Sequence, residues 1–162
     1  MRQADAQVPL SAAAGARFAL IVSRFNDVIT TRLGDGARRA LAEAGASESQ
    51  IETFSVPGAF ELPQAARAVA ETGRFDAVIC LGCVIRGDTP HFEYICAAAA
   101  HGLMAAAGET GVPMSFGVLT TDTWEQAEAR AGDGRDNKGF EATAAALEMA
   151  ALFRTLRPDD RR

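Results

Sequence analysis

Apolar residues gather in four short runs along the chain, separated by longer stretches in which apolar, small and charged residues mix. The runs cover residues 18–23, 51–55, 75–85 and 114–119. Such nearly continuous apolar runs are typical of strands that helices cover on both faces. The third run is the longest and predicts a central strand of a sheet.

The stretches between the runs predict helices that connect the strands. Two of them cover residues 27–44 and 59–71, and each ends before a glycine, a common residue after a helix. A third covers residues 91–108, which are rich in alanine and contain no proline. Strands that alternate with helices predict a parallel sheet.

Two more helices are predicted after the fourth run. Thr123 is suited to cap a short helix that ends at Arg130, and the loop 132–136 interrupts the pattern. Asn137 is suited to cap a final helix that runs to about residue 155.

The whole pattern fits one α/β domain over residues 15–156, a flavodoxin-like three-layer α/β/α sandwich with a four-stranded parallel sheet. A chain of 162 residues with 48% hydrophobic residues can bury a substantial core but has no room for a second domain. The segments 1–14 and 157–162 carry little apolar pattern, and we expect both to be flexible.

Charge and targeting signals exclude several classes of function. The net charge is −5 and the arginines are scattered, which argues against a surface for nucleic acid or anionic lipid. No apolar run approaches the roughly 20 residues that span a bilayer. The first 14 residues show no basic-then-apolar signal pattern, so we expect a cytoplasmic protein.

Three cysteines are present, and two of them have the spacing of a CxxC motif. Cys80 and Cys83 both fall in the third predicted strand, where side chains three positions apart point to opposite faces. They are therefore not expected to form a disulfide or to share a metal ion. We expect Cys96 to be a buried, small apolar residue as well.

Candidate chemistry is concentrated in residues 82–92, where the central strand leads through a turn into a helix. Free backbone amides at the start of a helix form an anion site, and Gly87 lets a ligand approach the backbone closely. Thr89 adds a hydroxyl group. His91 stands beside this site, and its titration range near neutrality suits proton transfer. A capped helix with a surface histidine is the alternative interpretation.

Four ordered motifs together are more specific than any one of them. They cover residues 24–26, 57–63, 82–92 and 137–142. With these motifs the chain resembles the 6,7-dimethyl-8-ribityllumazine synthases, which act in riboflavin biosynthesis, over roughly residues 16–155.

The resemblance implies a transferase reaction. 5-Amino-6-(D-ribitylamino)uracil would condense with 3,4-dihydroxy-2-butanone 4-phosphate to give the lumazine, phosphate and water, with no metal and no other cofactor. In the family pattern His91 would move protons with Asp88 as a weaker helper. Arg130 and the backbone amides of residues 87–89 would hold the phosphate, with Arg130 reaching it from the adjacent subunit.

The resemblance also assigns substrate contacts. Phe25 would stack on the heterocycle, residues 59–61 would hold the ribityl chain and pyrimidine, and an aromatic residue at Phe116 would cover the ring from the neighbouring subunit. The full set of implied substrate-binding residues is Phe25, Asn26, Gly58, Ala59, Phe60, Glu61, Val84, Ile85, Gly87, Asp88, Thr89, Phe116, Lys138 and Glu141.

Ordinary structural roles remain open for several of these residues. Arg130 can complement the end of its helix, and Glu61 the start of another. Phe116 lies within a strand and would be a core residue by default. Lys138 is the single lysine beside fifteen arginines, yet Glu141 lies three residues further along the helix, where a plain surface ion pair is expected.

The shared site implies a homo-oligomer, either a pentamer or a multiple of pentamers up to a hollow icosahedral capsid. In the loop 132–136 an aspartate precedes Asn137 where the family pattern suggests glycine, and this loop helps to set the assembly. A flavodoxin-like electron carrier is disfavoured because residues 23–27 contain no glycine for a phosphate loop. A non-catalytic paralogue that binds flavin or lumazine remains the alternative.

Overall fold

A computed structural model describes residue 8 and residues 12–157 of the chain. The predicted flexibility of both terminal segments therefore concerns residues that lie largely outside this description. The strands and helices are, in chain order, β1 (Phe18–Ser23), α1 (Asp27–Glu43), β2 (Ile51–Val56), α2 (Leu62–Glu71), β3 (Ala77–Ile85), α3 (His91–Thr110), β4 (Met114–Thr121), α4 (Trp124–Ala129) and α5 (Lys138–Leu156).

The strands form a four-stranded, fully parallel sheet in the order β2-β1-β3-β4, which confirms the predicted fold. β3 lies inside the sheet, between β1 and β4, as its continuous apolar sequence predicted. The carboxyl ends of all four strands point to the same edge of the sheet. Loops that follow parallel strands gather at that edge, where ligands of such folds bind.

Alternate residues of the inner strands face two separate apolar cores. Phe18 and Leu20 of β1 belong to one core, with α1 and α5, whereas Ala19 and Ile21 belong to the other, with α2 and α3. This alternation is the two-residue period of a strand. Helices thus cover both faces of the sheet and make the three layers.

The two cysteines of β3 follow the same alternation. Cys83 lies in the first core and Cys80 in the second, so their side chains are on opposite faces, as predicted. Burial raises the pKa of Cys80 to about 12 and that of Cys83 to about 11. The expectation for Cys96 is wrong in part, because this residue is only half-buried on α3.

Helices α1 and α5 pack closely because small residues line their contact. A Cβ atom at Gly139 would lie 2.0 Å from the carbonyl oxygen of Leu33, and one at Gly36 would lie 2.2 Å from Oδ1 of Asn137. Asn137 is buried and caps α5, since its Oδ1 accepts hydrogen bonds from the amides of Gly139 and Phe140 at 2.8 and 3.2 Å. Its Nδ2 donates to two carbonyl oxygens, which fixes the chain just before α5.

Most predicted boundaries agree with the structure within two residues. The first turn of the second predicted helix is instead a 3-10 turn at Ala59–Glu61, and α2 begins at Leu62. β4 continues two residues beyond the predicted end, to Thr121, because it pairs with β3 along its whole length.

Candidate active site

A cavity of about 710 Å³ opens at the carboxyl ends of β1, β2 and β3. Its walls come from the loops after these three strands and from the first turns of α3. Ten of the predicted site residues line it, namely Phe25, Gly58, Ala59, Phe60, Glu61, Val84, Ile85, Gly87, Thr89 and His91.

Two aromatic rings stand at the mouth of this cavity. Phe25 is 71% exposed and Phe60 is 59% exposed, which is unusual for phenylalanine in a folded domain. Hydrogen bonds between neighbouring loops hold Phe25 in place, because its amide donates to the carbonyl oxygen of Pro57 at 3.0 Å. The two rings provide apolar surface on which a flat heterocycle can stack.

The segment after β2 presents polar groups to the same cavity. Oε2 of Glu61 accepts a hydrogen bond from the amide of Gly58 at 2.9 Å, which closes the 3-10 turn. The carboxylate thus has the structural role considered for it, while it also lines the cavity. A carboxylate accepts several hydrogen bonds, so one bond to the backbone leaves capacity for ligand hydroxyls.

The loop between β3 and α3 carries the residues that the sequence analysis assigned to an anion site. Gly87 and Thr89 line the cavity, and the amide of His91 donates to Oγ1 of Thr89 at 3.4 Å. His91 is exposed and is the first residue of α3, where the helix dipole favours an anion. Asp88 is exposed in this loop but is absent from the cavity lining.

Asn26 supports this cavity rather than lining it. Its backbone has φ 58° and ψ 50°, the left-handed conformation that asparagine tolerates best after glycine. Its Nδ2 donates to the carbonyl oxygen of Cys83 at 3.0 Å, which ties the loop after β1 to the end of β3. The side chain therefore sets the distance between two walls of the cavity.

A second cavity, of about 530 Å³, follows β4, which is an edge strand of the sheet in the described part of the chain. Residues of β4 and α5 form it, together with the end of α4. Four of the remaining six predicted site residues line this groove, namely Phe116, Arg130, Lys138 and Glu141. Phe116 is 44% exposed, so its default assignment to the core is wrong.

Arg130 and Lys138 occupy neighbouring positions in the groove. The amide of Lys138 donates to the carbonyl oxygen of Arg130 at 2.8 Å. The guanidinium of Arg130 donates to the carbonyl oxygen of Gln126 at 2.9 Å and so complements the end of α4, as the structural alternative predicted. Because a guanidinium carries five N–H donors, this bond is compatible with a ligand contact.

The single lysine of the chain forms an ion pair inside the groove. Nζ of Lys138 lies 2.6 Å from Oε2 of Glu141, and the two side chains are 31% and 20% exposed. This is the pair expected from their spacing, but it is half-buried rather than a surface pair. A half-buried pair is less screened by solvent and holds both charges toward the groove.

Arg86 links the first turn of α3, beside the first cavity, to the end of β4. Its Nε donates to Oδ1 of Asp122 at 2.7 Å, its Nη1 donates to Glu93, and its guanidinium lies 4.3 Å from the ring centre of Phe92. The hydrogen bonds to Glu93 and then to Asp122 raise the pKa of Arg86 further above its usual value. The hydrogen bond from Arg86 lowers the pKa of Glu93.

Sequence reasoning missed four further residues of the first cavity, one of which is Cys83, expected only as a buried strand residue. Phe92, Tyr94 and Ile95 line it beside His91. The last two lie three and four residues beyond His91, on the same helical face, so helical spacing was the available signal.

Within the part of the chain that is described, no helix combines the length and the apolar character that crossing a membrane requires.

Comparisons with known proteins identify the family of the chain. The sequence model of the 6,7-dimethyl-8-ribityllumazine synthase family matches residues 15–154. A curated 6,7-dimethyl-8-ribityllumazine synthase from Syntrophus aciditrophicus (strain SB) is 54% identical over 144 residues, which cover 89% of this chain and 94% of that protein. The chain therefore belongs to the 6,7-dimethyl-8-ribityllumazine synthase family.

Proposed function

We propose that the chain condenses 5-amino-6-(D-ribitylamino)uracil with 3,4-dihydroxy-2-butanone 4-phosphate to give 6,7-dimethyl-8-ribityllumazine, inorganic phosphate and two water molecules. The observation that carries this proposal is the family match over nearly the whole chain. The amine attacks the ketone and loses water to form an imine, and elimination of phosphate then leaves an enol that tautomerises to a carbonyl. The ribityl-bearing nitrogen attacks this carbonyl, and loss of the second water closes the ring.

The cavity at the carboxyl edge suits the pyrimidine and its ribityl chain. Phe25 and Phe60 offer exposed rings for the heterocycle. Glu61 and the backbone between residues 58 and 61 offer acceptors and donors to the hydroxyl groups of a polyol. Val84 and Ile85 are half-buried at the end of β3, beyond the last residue that pairs with β1, so their backbone on that side is placed to pair with the edge of the ring.

The first turn of α3 suits the phosphate and the proton transfers. Gly87 and Thr89, with the exposed Asp88 between them, form the phosphate cradle, the loop that would bind the phosphate group. His91 would act as the general acid and base of the reaction. Arg130 supplies the positive charge that stabilises phosphate as it leaves. Much of the rate enhancement comes from holding two small reactants together, which removes a large entropic cost.

We propose that each site is completed by a second subunit. The residues of the first cavity and those of the groove are different sets, and no described residue lines both. The groove runs along β4, whose outer edge pairs with no strand among the described residues. A head-to-tail contact would bring the groove of one subunit over the cavity of the next, and such contacts close into rings. A pentameric ring is the assembly we propose.

The reaction is tested first with purified protein and both substrates, by following lumazine absorbance and fluorescence above the uncatalysed background. We expect rapid formation, and its loss in Arg130→Ala. No turnover together with tight riboflavin binding, measured by fluorescence quenching, would contradict the proposal and favour a flavin-binding paralogue.

The shared site is tested by mixing two variants with strongly reduced activity. His91→Ala and Arg130→Ala damage opposite halves of the site, so co-expression at equal levels restores intact sites in about one quarter of the interfaces. We expect activity well above that of either variant alone. If both residues act within one subunit, mixing restores nothing.

Assembly size is measured independently by sedimentation and light scattering. A pentamer, or a multiple of it up to a 60-subunit capsid, is expected, and a monomer at micromolar concentration would contradict the shared site. We also propose a cytoplasmic location. The three cysteines are all free, as is usual in a reducing compartment.

A further inference from the structure

Arg86 forms more contacts than is usual for an arginine at an exposed position. Its side chain is 42% exposed, yet it forms ion pairs with Glu93 and Asp122 and covers the ring of Phe92. Its backbone amide also donates to the carbonyl oxygen of Thr121 at 2.9 Å. One residue thus fastens the end of β3 to the first turn of α3 and to the end of β4.

These contacts enclose the loop that carries the phosphate cradle. Gly87 directly follows Arg86, and His91 lies between the proline cap of α3 and Phe92. Glu93 is two residues beyond His91 in the same helical turn, and Phe92 lines the cavity. A shift of the Arg86 side chain would therefore move the start of α3 and the loop together.

Arg86 is also poorly placed to bind phosphate itself. Two carboxylates already accept its hydrogen bonds, through Nε and Nη1, and a ring lies against its face. Its positive charge instead offsets the negative charge of Glu93, which lies in the first turn of α3, two residues beyond His91. Without that offset, an unpaired negative charge would lie in the same helical turn as His91, near the proposed position of the anionic substrate.

We propose that Arg86 is a positioning residue that holds the β3–α3 loop and the first turn of α3 in the geometry that binds the phosphate of the butanone substrate. Three simultaneous contacts require a planar, forked cation. Lysine offers one point charge and cannot reproduce two directed hydrogen bonds together with stacking on a ring.

The test rests on the proposed reaction and compares Arg86→Ala with a matched control, Arg74→Ala. Arg74 also has an ion pair, with Glu52 at 2.7 Å, and it stacks 4.8 Å from the ring centre of Phe75. Its side chain is 48% exposed, close to the value for Arg86. It precedes β3 and so lies at the opposite edge of the sheet from the cavity.

For Arg86→Ala we expect kcat to fall about 10- to 100-fold, the effect of a reacting group misplaced by about 1 Å. The KM for the phosphate-bearing substrate should rise about 3- to 10-fold, because an unpaired carboxylate repels the anion. The KM for the pyrimidine should stay within about twofold of wild type, since its stacking and polyol contacts lie on the loops after β1 and β2. Inorganic phosphate should inhibit the variant more weakly, whereas Arg74→Ala should match wild type in every constant.

Two more variants separate charge from geometry. Adding Glu93→Gln to Arg86→Ala removes the repelling carboxylate, so the KM for the phosphate-bearing substrate should recover while kcat stays low. Arg86→Lys should restore that KM more than it restores kcat. Equal losses for both substrates, accompanied by a fall in melting temperature, would reduce Arg86 to a stabilising residue and overturn the proposal.

An unchanged kcat in Arg86→Ala would also overturn it. Wild-type turnover is measured in the same experiment and tests the reaction itself. If wild type forms no lumazine, the proposed reaction fails, whereas normal turnover with an insensitive Arg86 rejects only the positioning role.

Discussion

Replacing Gly139 with alanine tests the contact between α1 and α5 on which the groove depends. The added Cβ would lie 2.0 Å from the carbonyl oxygen of Leu33, and 2.7 and 2.9 Å from its carbonyl carbon and Cα. Ordinary contacts begin at 3.4 Å, so the helices must separate by up to 1.4 Å, the difference between 3.4 and 2.0 Å. A backbone cannot rotate away as a flexible side chain can.

Overpacking of this kind costs about 1–3 kcal/mol, and we expect the upper end because the obstructing atoms belong to a helix backbone. For a chain of this size, about 3 kcal/mol corresponds to a fall of roughly 6–12 °C in melting temperature. Lys138 precedes Gly139, so the groove should also be displaced and activity should fall with stability.

Gly34→Ala is the matched control. Gly34 adjoins Leu33 within α1, but a Cβ atom there meets nothing within 4 Å. This change should stabilise the protein by about 0.4–1 kcal/mol, because it restricts the unfolded chain. Melting is followed by circular dichroism at one fixed subunit concentration, since assembly itself shifts the melting temperature. A Gly139→Ala protein at least as stable as Gly34→Ala would refute the close helix contact.

Three further predictions address the site and the core. His91→Ala should slow steady-state turnover by about 10²- to 10⁴-fold without abolishing it, and a reduction under about 10-fold would assign little to proton transfer. Phe25→Leu should raise the KM for the pyrimidine about 2- to 10-fold at an unchanged melting temperature, whereas Phe25→Tyr should behave as wild type; equal KM values would exclude stacking. Burial raises the pKa of Cys80 to about 12 and of Cys83 to about 11, so both thiols stay protonated at pH 8. Ellman's reagent should label at most one thiol rapidly in native protein, that of Cys96, and all three in denaturant; rapid labelling of three would contradict their burial. Because the thiols of the unfolded chain ionise near pH 9, stability should decline from there toward pH 12.

The sheet was predictable because its strands are buried on both faces. Residues 18–23 were placed with the bounds that β1 has, since all six are apolar or small. The start of β3 was placed two residues early because Phe75 is buried without being paired in the strand. The first turn of α2 was misjudged because a 3-10 turn and an α-helix share the same residue preferences at this length.

The site was predictable from motifs only as separate pieces. The division between a cavity and a groove depends on β4 being an edge strand. The hydrophobic periodicity of the sequence predicts where strands lie along the chain but not their order in the sheet. The role of Arg86 depends on register. Ile85 pairs with Thr121, so the next residues of the two strands, Arg86 and Asp122, meet across the sheet although they are 36 positions apart.

The side-chain amide of Asn26 gives the cavity a vulnerability to chemical ageing. Slow hydrolysis turns asparagine into aspartate and replaces an N–H donor with a charged acceptor. At this position the new carboxylate would face the carbonyl oxygen of Cys83, to which the amide now donates at 3.0 Å. Glycine would keep the left-handed backbone but lose the bond. Loss of this one amide group would thus remove the hydrogen bond that ties the loop after β1 to the end of β3.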